Sequence, residues 1–334
     1  MKNNNRVLYI DIARGIAILL MIAGHTLNPG LSRSIIFSFH MPLFIIISGF
    51  FYKERSLKDE IKNSFFHLLI PSTIVIFLVQ NIRNIGSMSI LKSIIKSLEV
   101  ILICFSHQSK IAYSFPNTGV LWFIYMIIIM KIIFILTKKA SNNNELFMFA
   151  SIVLETYLGY ITGISGYWLP WSIDVALACI IFYYFGYLMK KYNLMNRILS
   201  DNYLLIIIFL LWLEGIRFNW IEIALRRYPN GLWSYITAIC GSIIILKLSN
   251  IIEKKIKRMP QFLAWCGKNS LYILIAHYIG TSLFAYNINI NVNILNDTIK
   301  TIIIISEKYF LSIVFAYICT KLKEYFNKKS IIKK

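Results

Sequence analysis

Three side chains able to do chemistry lie in one apolar run, "YIDIARGIAILLMIAGH", residues 9–25. They are Asp11, Arg14 and His25. An imidazole takes up and returns a proton near neutrality. A guanidinium binds phosphate or carboxylate, and a carboxylate three residues away on a helix is placed to pair with it. A helix turns about 100° and rises about 1.5 Å per residue, so Arg14 and His25 fall about 20° apart around it and about 16 Å apart along it. All three share one stripe. A long anionic ligand meeting Arg14 at one level would bring its reactive end to His25 at the other. Gly15 and Gly24 leave room beside the stripe for a neighbouring helix or a ligand. The plainer alternative is an Arg–Asp pair acting as internal glue, with His25 a neutral ring bonded to a facing carbonyl.

The next apolar run, "SIIFSFHMPLFIIISGFFY" (34–52), adds His40 inside it, a kink expected at Met41-Pro42 and a small pair, Ser48-Gly49, near its far end. Further along, "WCGKNSLYILIAH" (265–277) places Asn269 and Ser270 at the mouth of another run as cap and ligand contacts, with His277 well inside it. His277 divides evenly between packing and site. Trp122 and Phe123 open a run at its outer end, where interfacial anchoring competes with stacking on a sugar. Glu155 lies near mid-run, where a carboxylate is a functional candidate and could bind acceptor hydroxyls. Asp174, beside "YWLPW", reads as a solvated carboxylate among belt aromatics, with a sugar-facing role as the alternative. Lys131, Glu214 with Arg217, and Glu307 with Lys308 complete the charges inside apolar runs.

The elements that must position these groups are membrane helices. The chain has 334 residues, 57% of them hydrophobic, and apolar stretches of about 20 residues recur along it, enough to cross a core of about 30 Å. The sequence predicts an all-α polytopic membrane protein with about ten spans: 7–27, 34–52, 64–82, 119–137, 145–163, 169–189, 202–220, 231–250, 268–287 and 300–321. With the N-terminus in the cytoplasm, 22 of the 35 Lys and Arg fall on the inner side, 8 on the outer side and the rest within spans. This follows the positive-inside rule and places both termini in the cytoplasm. The net charge of +20 therefore tracks topology and argues against a nucleic-acid partner. The charges at Asp11 and Arg14 identify the first run as a retained helix rather than a signal peptide. Residues 1–334 read as a single transmembrane domain, whose one long outer loop, about 83–118, carries an interfacial helix with Lys92 and Lys96 opposite its apolar face. The five cysteines form no CxxC and read as packing residues, and no metal site is expected.

"YIDIARGIAILLMIAGH" followed by "FHMPLFIIISGFFY" resembles the membrane acyltransferase-3 family, in particular its fucose 4-O-acetylase-like sugar O-acetyltransferase branch. "GVLWFIYMIIIMKIIF" (119–134) and "WCGKNSLYILIAH" are similar to later segments of that family; 145–260 carries no matching motif. The resemblance implies transfer of an acyl group, usually acetyl from acetyl-CoA, to a hydroxyl of a surface polysaccharide or its lipid-linked precursor. Membrane lipids are the other expected partner, and an oligomer is open. It further implies an enzyme of the cytoplasmic (inner) membrane. His25 would be general base or transient acyl carrier. Arg14, with Ser48, Gly49, Asn269 and Ser270, would contact the donor; Asp11 would orient Arg14; His40, Trp122, Glu155 and His277 would face the acceptor. Two other classes compete: a transporter or flippase for a glycan or lipid precursor, suggested by the charges within spans, and a scaffold subunit of a polysaccharide synthase.

Overall fold

The computed structural model describes residues 7–104, 118–217, 221–283 and 297–332. Among them the regular elements are all helical. In chain order they are α1 Leu8–Gly24, α2 Leu31–Phe37, α3 His40–Phe50, α4 Leu57–Ser64, α5 Ile70–Arg83, α6 Ile90–Ile103, α7 Trp122–Ala140, α8 Glu145–Ile164, α9 Ile173–Lys191, α10 Leu194–Ser200, α11 Asn202–Arg217, α12 Leu232–Lys255, α13 Met259–Lys268, α14 Ser270–Leu283 and α15 Asp297–Ile332. Seven helices among the described residues are long and apolar enough to cross a membrane, counting α2–α3 and α4–α5 as one each; the α10–α11 pair, bent by 89°, makes an eighth if it is one span. Large apolar side chains such as Ile74, Leu78, Leu210, Ile302 and Phe310 are exposed, which a bilayer accepts and water does not. This is a polytopic membrane protein. The other two expected spans coincide with α1 and α14, which have 17 and 14 residues. At about 1.5 Å per residue, α1 falls short of a hydrocarbon core of about 30 Å.

Local sequence sets the helix ends. Asn144 caps α8 by accepting from the Phe147 amide, and Glu145 supplies an acidic first turn. The kink expected at Met41-Pro42 is a break between α2 and α3 at Ser38-Phe39. Pro42, in the first turn of α3, has no N–H to bond the Ser38 carbonyl, so the helix restarts rather than bends. In the expected outer loop, α6 packs on α5 through small polar groups: Asn81 donates to Ser97 (3.0 Å), Ser93 to Asn81 (2.8 Å), and Asn84 to Ser93 (3.1 Å). Its apolar residues Ile90, Leu91, Ile95, Leu98 and Leu102 face outward, as an interfacial helix requires. Most of the polar stretch that follows lies outside the described residues.

The sequence reading expects one domain; contacts within the chain gather it into two compact units. The first comprises Met1–Ile36 and Ile245–Lys334, and the second Phe37–Ile244. In the first, α1 packs on α13 around Ile12, Leu263 and Ala264, joined by Leu8, Ile16, Leu19 and Ile252. The two backbones touch: a Cβ added at Gly267 would lie 1.9 Å from the Asp11 carbonyl oxygen, and one at Gly15 1.9 Å from that of Leu263. Only glycine permits that approach. In the second unit α3 and α9 meet in the same way through Gly49 and Gly186.

Candidate active site

Hydrogen bonds within the first unit set the direction of its helices. Arg14 on α1 donates to Ser270 at the start of α14 (3.4 Å), while His25 at the other end of α1 stacks on His277, midway along α14, at 5.8 Å between ring centroids. So α1 and α14 run the same way. The last helix runs back: Lys308 Nζ donates to Thr26 (2.8 Å), Tyr309 to the Leu19 carbonyl (2.9 Å), and Thr320 to Asn269 (3.0 Å). The result is two polar levels on one three-helix face. One holds Arg14, Ser270, Asn269 and Thr320; the other holds His25, Thr26, His277 and Lys308. Along α1 they lie about 16 Å apart.

At the first level Asp11 is 2% exposed and Arg14 half-buried. Ser270 is 8% exposed and accepts from the guanidinium. Asn269 closes the C-terminus of α13, where its side-chain N–H bonds the Trp265 carbonyl, and its side-chain oxygen is taken by Thr320. A half-buried guanidinium at this level is chemically suited to phosphate or carboxylate.

At the second level His25 caps α1 with its backbone still helical (φ −74°, ψ −8°) and its amide bonded to the Met21 carbonyl. That continuity carries the stripe to the imidazole, which is exposed. Its stacking partner His277 is the reverse, 1% exposed with an Nδ1 that has no hydrogen-bond partner. Lys308 is 7% exposed, and its positive charge acts on both rings, joined at His25 by that of Arg33. An exposed imidazole beside a buried one, next to fixed cations, can exchange a proton with a reacting hydroxyl and stabilise developing negative charge.

The other expected site residues belong to the second unit. His40 is buried at the start of α3 with its ring against Phe37 (4.9 Å). Ser48 is half-buried; the space beside Gly49 is filled by the Tyr183 carbonyl. Trp122, expected as an interfacial anchor or a sugar-stacking ring, is 4% exposed, with its ring in an edge-on contact with that of Phe123. Glu155 accepts from Thr137 Oγ1, and its second oxygen is buried without a partner. The solvated Asp174 is also corrected: it is fully buried and accepts two bonds from Arg226 (2.6 and 3.1 Å), whose guanidinium stacks under Trp168 at 3.6 Å. The five cysteines are free thiols, four of them buried.

A family model described as an acyltransferase domain matches residues 7–321, which contain every residue of both levels. The chain belongs to the acyltransferase-3 family. No curated protein and no solved structure matches it. This membrane acyltransferase thus carries its Arg14–His25 stripe against α14 and α15, two helices more than 240 residues further along the chain. Lys308 and Thr26 were not singled out from sequence as site residues. The available signal was an ionisable group inside the last apolar run.

Proposed function

We propose that this acyltransferase moves an acetyl group from cytoplasmic acetyl-CoA to a hydroxyl of a cell-surface polysaccharide or its lipid-linked precursor, at the cytoplasmic membrane. Acetyl-CoA supplies the activated thioester. Arg14, held by Ser270, binds a phosphate of the donor from the cytoplasmic side. His25, at the other level, takes the proton of the acceptor hydroxyl as its oxygen attacks the acyl carbon. When the carbon–sulfur bond breaks, His25 returns that proton to sulfur. The observation that carries this reading is the pairing of an exposed His25 with the buried, open-ended His277, one helix length from the half-buried Arg14. Direct attack needs only the groups present at these two levels.

Mass spectrometry of surface glycans tests it. A strain lacking the protein and a strain carrying Arg14→Ala should both lose the acetyl mass from a defined glycan. Unchanged acetylation in both would overturn the proposal.

A further inference from the structure

We infer that His277 is a positioning residue for His25: its ring fixes the plane of the reacting imidazole, and its face supports the positive charge that His25 acquires with the acceptor proton. This rests on reading the site as an acyl-transfer centre.

Packing does not call for a histidine at this place. Ile273 and Gly280, about one turn to either side on α14, are buried, and the His277 side chain is 1% exposed. Its Nδ1 is enclosed without a hydrogen-bond partner among the described residues. A polar atom left so costs stability that a leucine in its place would not. The same enclosure settles the charge of the ring. An imidazolium carries two N–H donors. One of them would be buried here with no acceptor, so His277 stays neutral and does not compete for the proton.

The ring stacks on His25. The two centroids lie 5.8 Å apart and the ring planes are 27° from parallel. His25 is the exposed member of the pair, at the end of α1, and His277 the enclosed one, midway along α14. An exposed side chain at a helix end has several rotamers open to it, whereas a general base must hold its nitrogen in line with the proton it takes. A flat wall at stacking distance selects one ring plane, and a wall that is itself enclosed keeps it. Near the start of α14, Ser270 accepts from Arg14 of α1 (3.4 Å), which sets the register that brings the two rings level. Stacking also has an electrostatic side. The face of an aromatic ring is its negative part, and a cation within about 6 Å of the centroid is drawn to it. On taking the proton His25 becomes such a cation, and the neutral His277 supplies the face.

The step balances without a proton on His277. The acceptor oxygen forms a bond to the acyl carbon as His25 takes the hydroxyl proton. The carbon–sulfur bond breaks with its pair on sulfur, and the proton passes from His25 to sulfur. His277 neither gives nor receives one. Its support is present while His25 is charged and absent before and after, so it acts on kcat rather than on binding of the donor.

The test uses the full-length protein purified in detergent, with acetyl-CoA as donor and release of free thiol as readout. Wild type, His25→Ala, His277→Leu, His277→Asn and His277→Phe are compared. His277→Leu should lower kcat by about 10–100-fold, the scale of a misplaced reacting group, with KM for acetyl-CoA within about threefold and a melting temperature at or above that of wild type. His277→Asn keeps a hydrogen-bonding nitrogen and loses the ring, and should be as slow as His277→Leu. His277→Phe keeps a ring and loses both nitrogens, and should stay within about fivefold of wild type. A His277→Leu enzyme with wild-type kcat overturns the inference, as does a loss confined to KM. A folded His277→Phe as slow as His277→Leu also overturns it, because a nitrogen and not the face would then be the working part. If the larger Phe ring lowers the melting temperature, His277→Asn decides: a rate near wild type overturns the inference, and a rate as low as that of His277→Leu with KM unchanged supports it. A dead His25→Ala beside a fully active His277→Leu removes this inference alone; a wild type that releases no thiol removes the acyl-transfer reading, and the inference with it.

Discussion

The two units of the molecule handle buried charge in opposite ways. In Phe37–Ile244 the carboxylates of Asp174 and Glu60 meet cations, whereas that of Glu155 meets the Thr137 hydroxyl. Asp174 and Arg226 form a two-bond pair at 0% and 2% side-chain exposure, and Glu60 accepts from Lys131 (3.0 Å), Arg55 (3.2 Å) and Ser64 (3.2 Å). In the unit of α1, α13, α14 and α15 the cations Arg33 and Lys308 act on His25, and the Nδ1 of the buried His277 stacked on it has no hydrogen-bond partner among the described residues. Paired charge inside a membrane protein locks helices together. A buried polar atom left without a partner costs stability, and that cost is expected where a site must stay open to a reacting group. The comparison ties the first pattern to architecture; under the proposed function the second belongs to catalysis.

The largest effect expected from breaking it is in the paired unit. Asp174→Ala leaves the Arg226 guanidinium buried without its carboxylate and should destabilise the protein by about 3–5 kcal/mol, seen as a steep fall in melting temperature. Combining Asp174→Leu with Arg226→Met should recover most of it, because an apolar replacement removes both desolvation costs. A single mutant that melts like wild type would remove the pair from the architecture. Next comes the glycine contact that sets α1. Gly267→Ala puts a methyl 1.9 Å from the Asp11 carbonyl and should cost about 1–3 kcal/mol by overpacking, again read by melting.

His277 gives the sharpest contrast because the sign of the stability change reverses. Replacing an unsatisfied buried polar group by an apolar one of similar shape is neutral or stabilising, on a scale of about 1–3 kcal/mol. His277→Leu should therefore melt at or above the wild-type temperature while acyl transfer falls at least tenfold. Destabilisation with full activity would make the ring a packing element. The smallest effect belongs to Ser270→Ala. Its bond to Arg14 is long, 3.4 Å, so the change should be about 0.5–1 kcal/mol, appearing as a rise in KM for acetyl-CoA of a few-fold with kcat unchanged.

How far these features could be read from the sequence depended on how many helices each involves. The Arg14–His25 stripe was legible because one helix fixes both residues, and its periodicity continues through the cap at His25. The α13–α14 junction was legible as a helix boundary. Asn269, expected to cap the start of α14, instead bonds the Trp265 carbonyl at the end of α13 and accepts from Thr320 on α15, while Ser270 meets Arg14 on α1. That His277 lies level with His25 depends on the register between α1 and α14, which no local pattern encodes. Lys308 reaches Thr26 across 282 residues. Asp174 was misread for the same reason: its partner Arg226 lies 52 residues away, in a segment with no motif. Trp122 looked like a belt aromatic because helix-end position predicts anchoring statistically, whereas its burial is set by neighbours beyond its own helix. Gly49, expected to contact the donor, is instead where the backbone of α9 approaches α3, with the Tyr183 carbonyl filling the space beside it, and only coordinates identify that neighbour.

The central claim is that the exposed imidazole at the end of α1 performs proton transfer in acyl transfer. Purified wild type and His25→Ala, matched for melting temperature and given isotopically labelled acetyl-CoA, test it most directly. Wild type should transfer or hydrolyse the acetyl group, and His25→Ala should lose about 10²–10⁴-fold of that rate, the range for removing a general base, while unfolding at the same temperature. A His25→Ala protein that is folded and turns over acetyl-CoA at the wild-type rate would contradict the account.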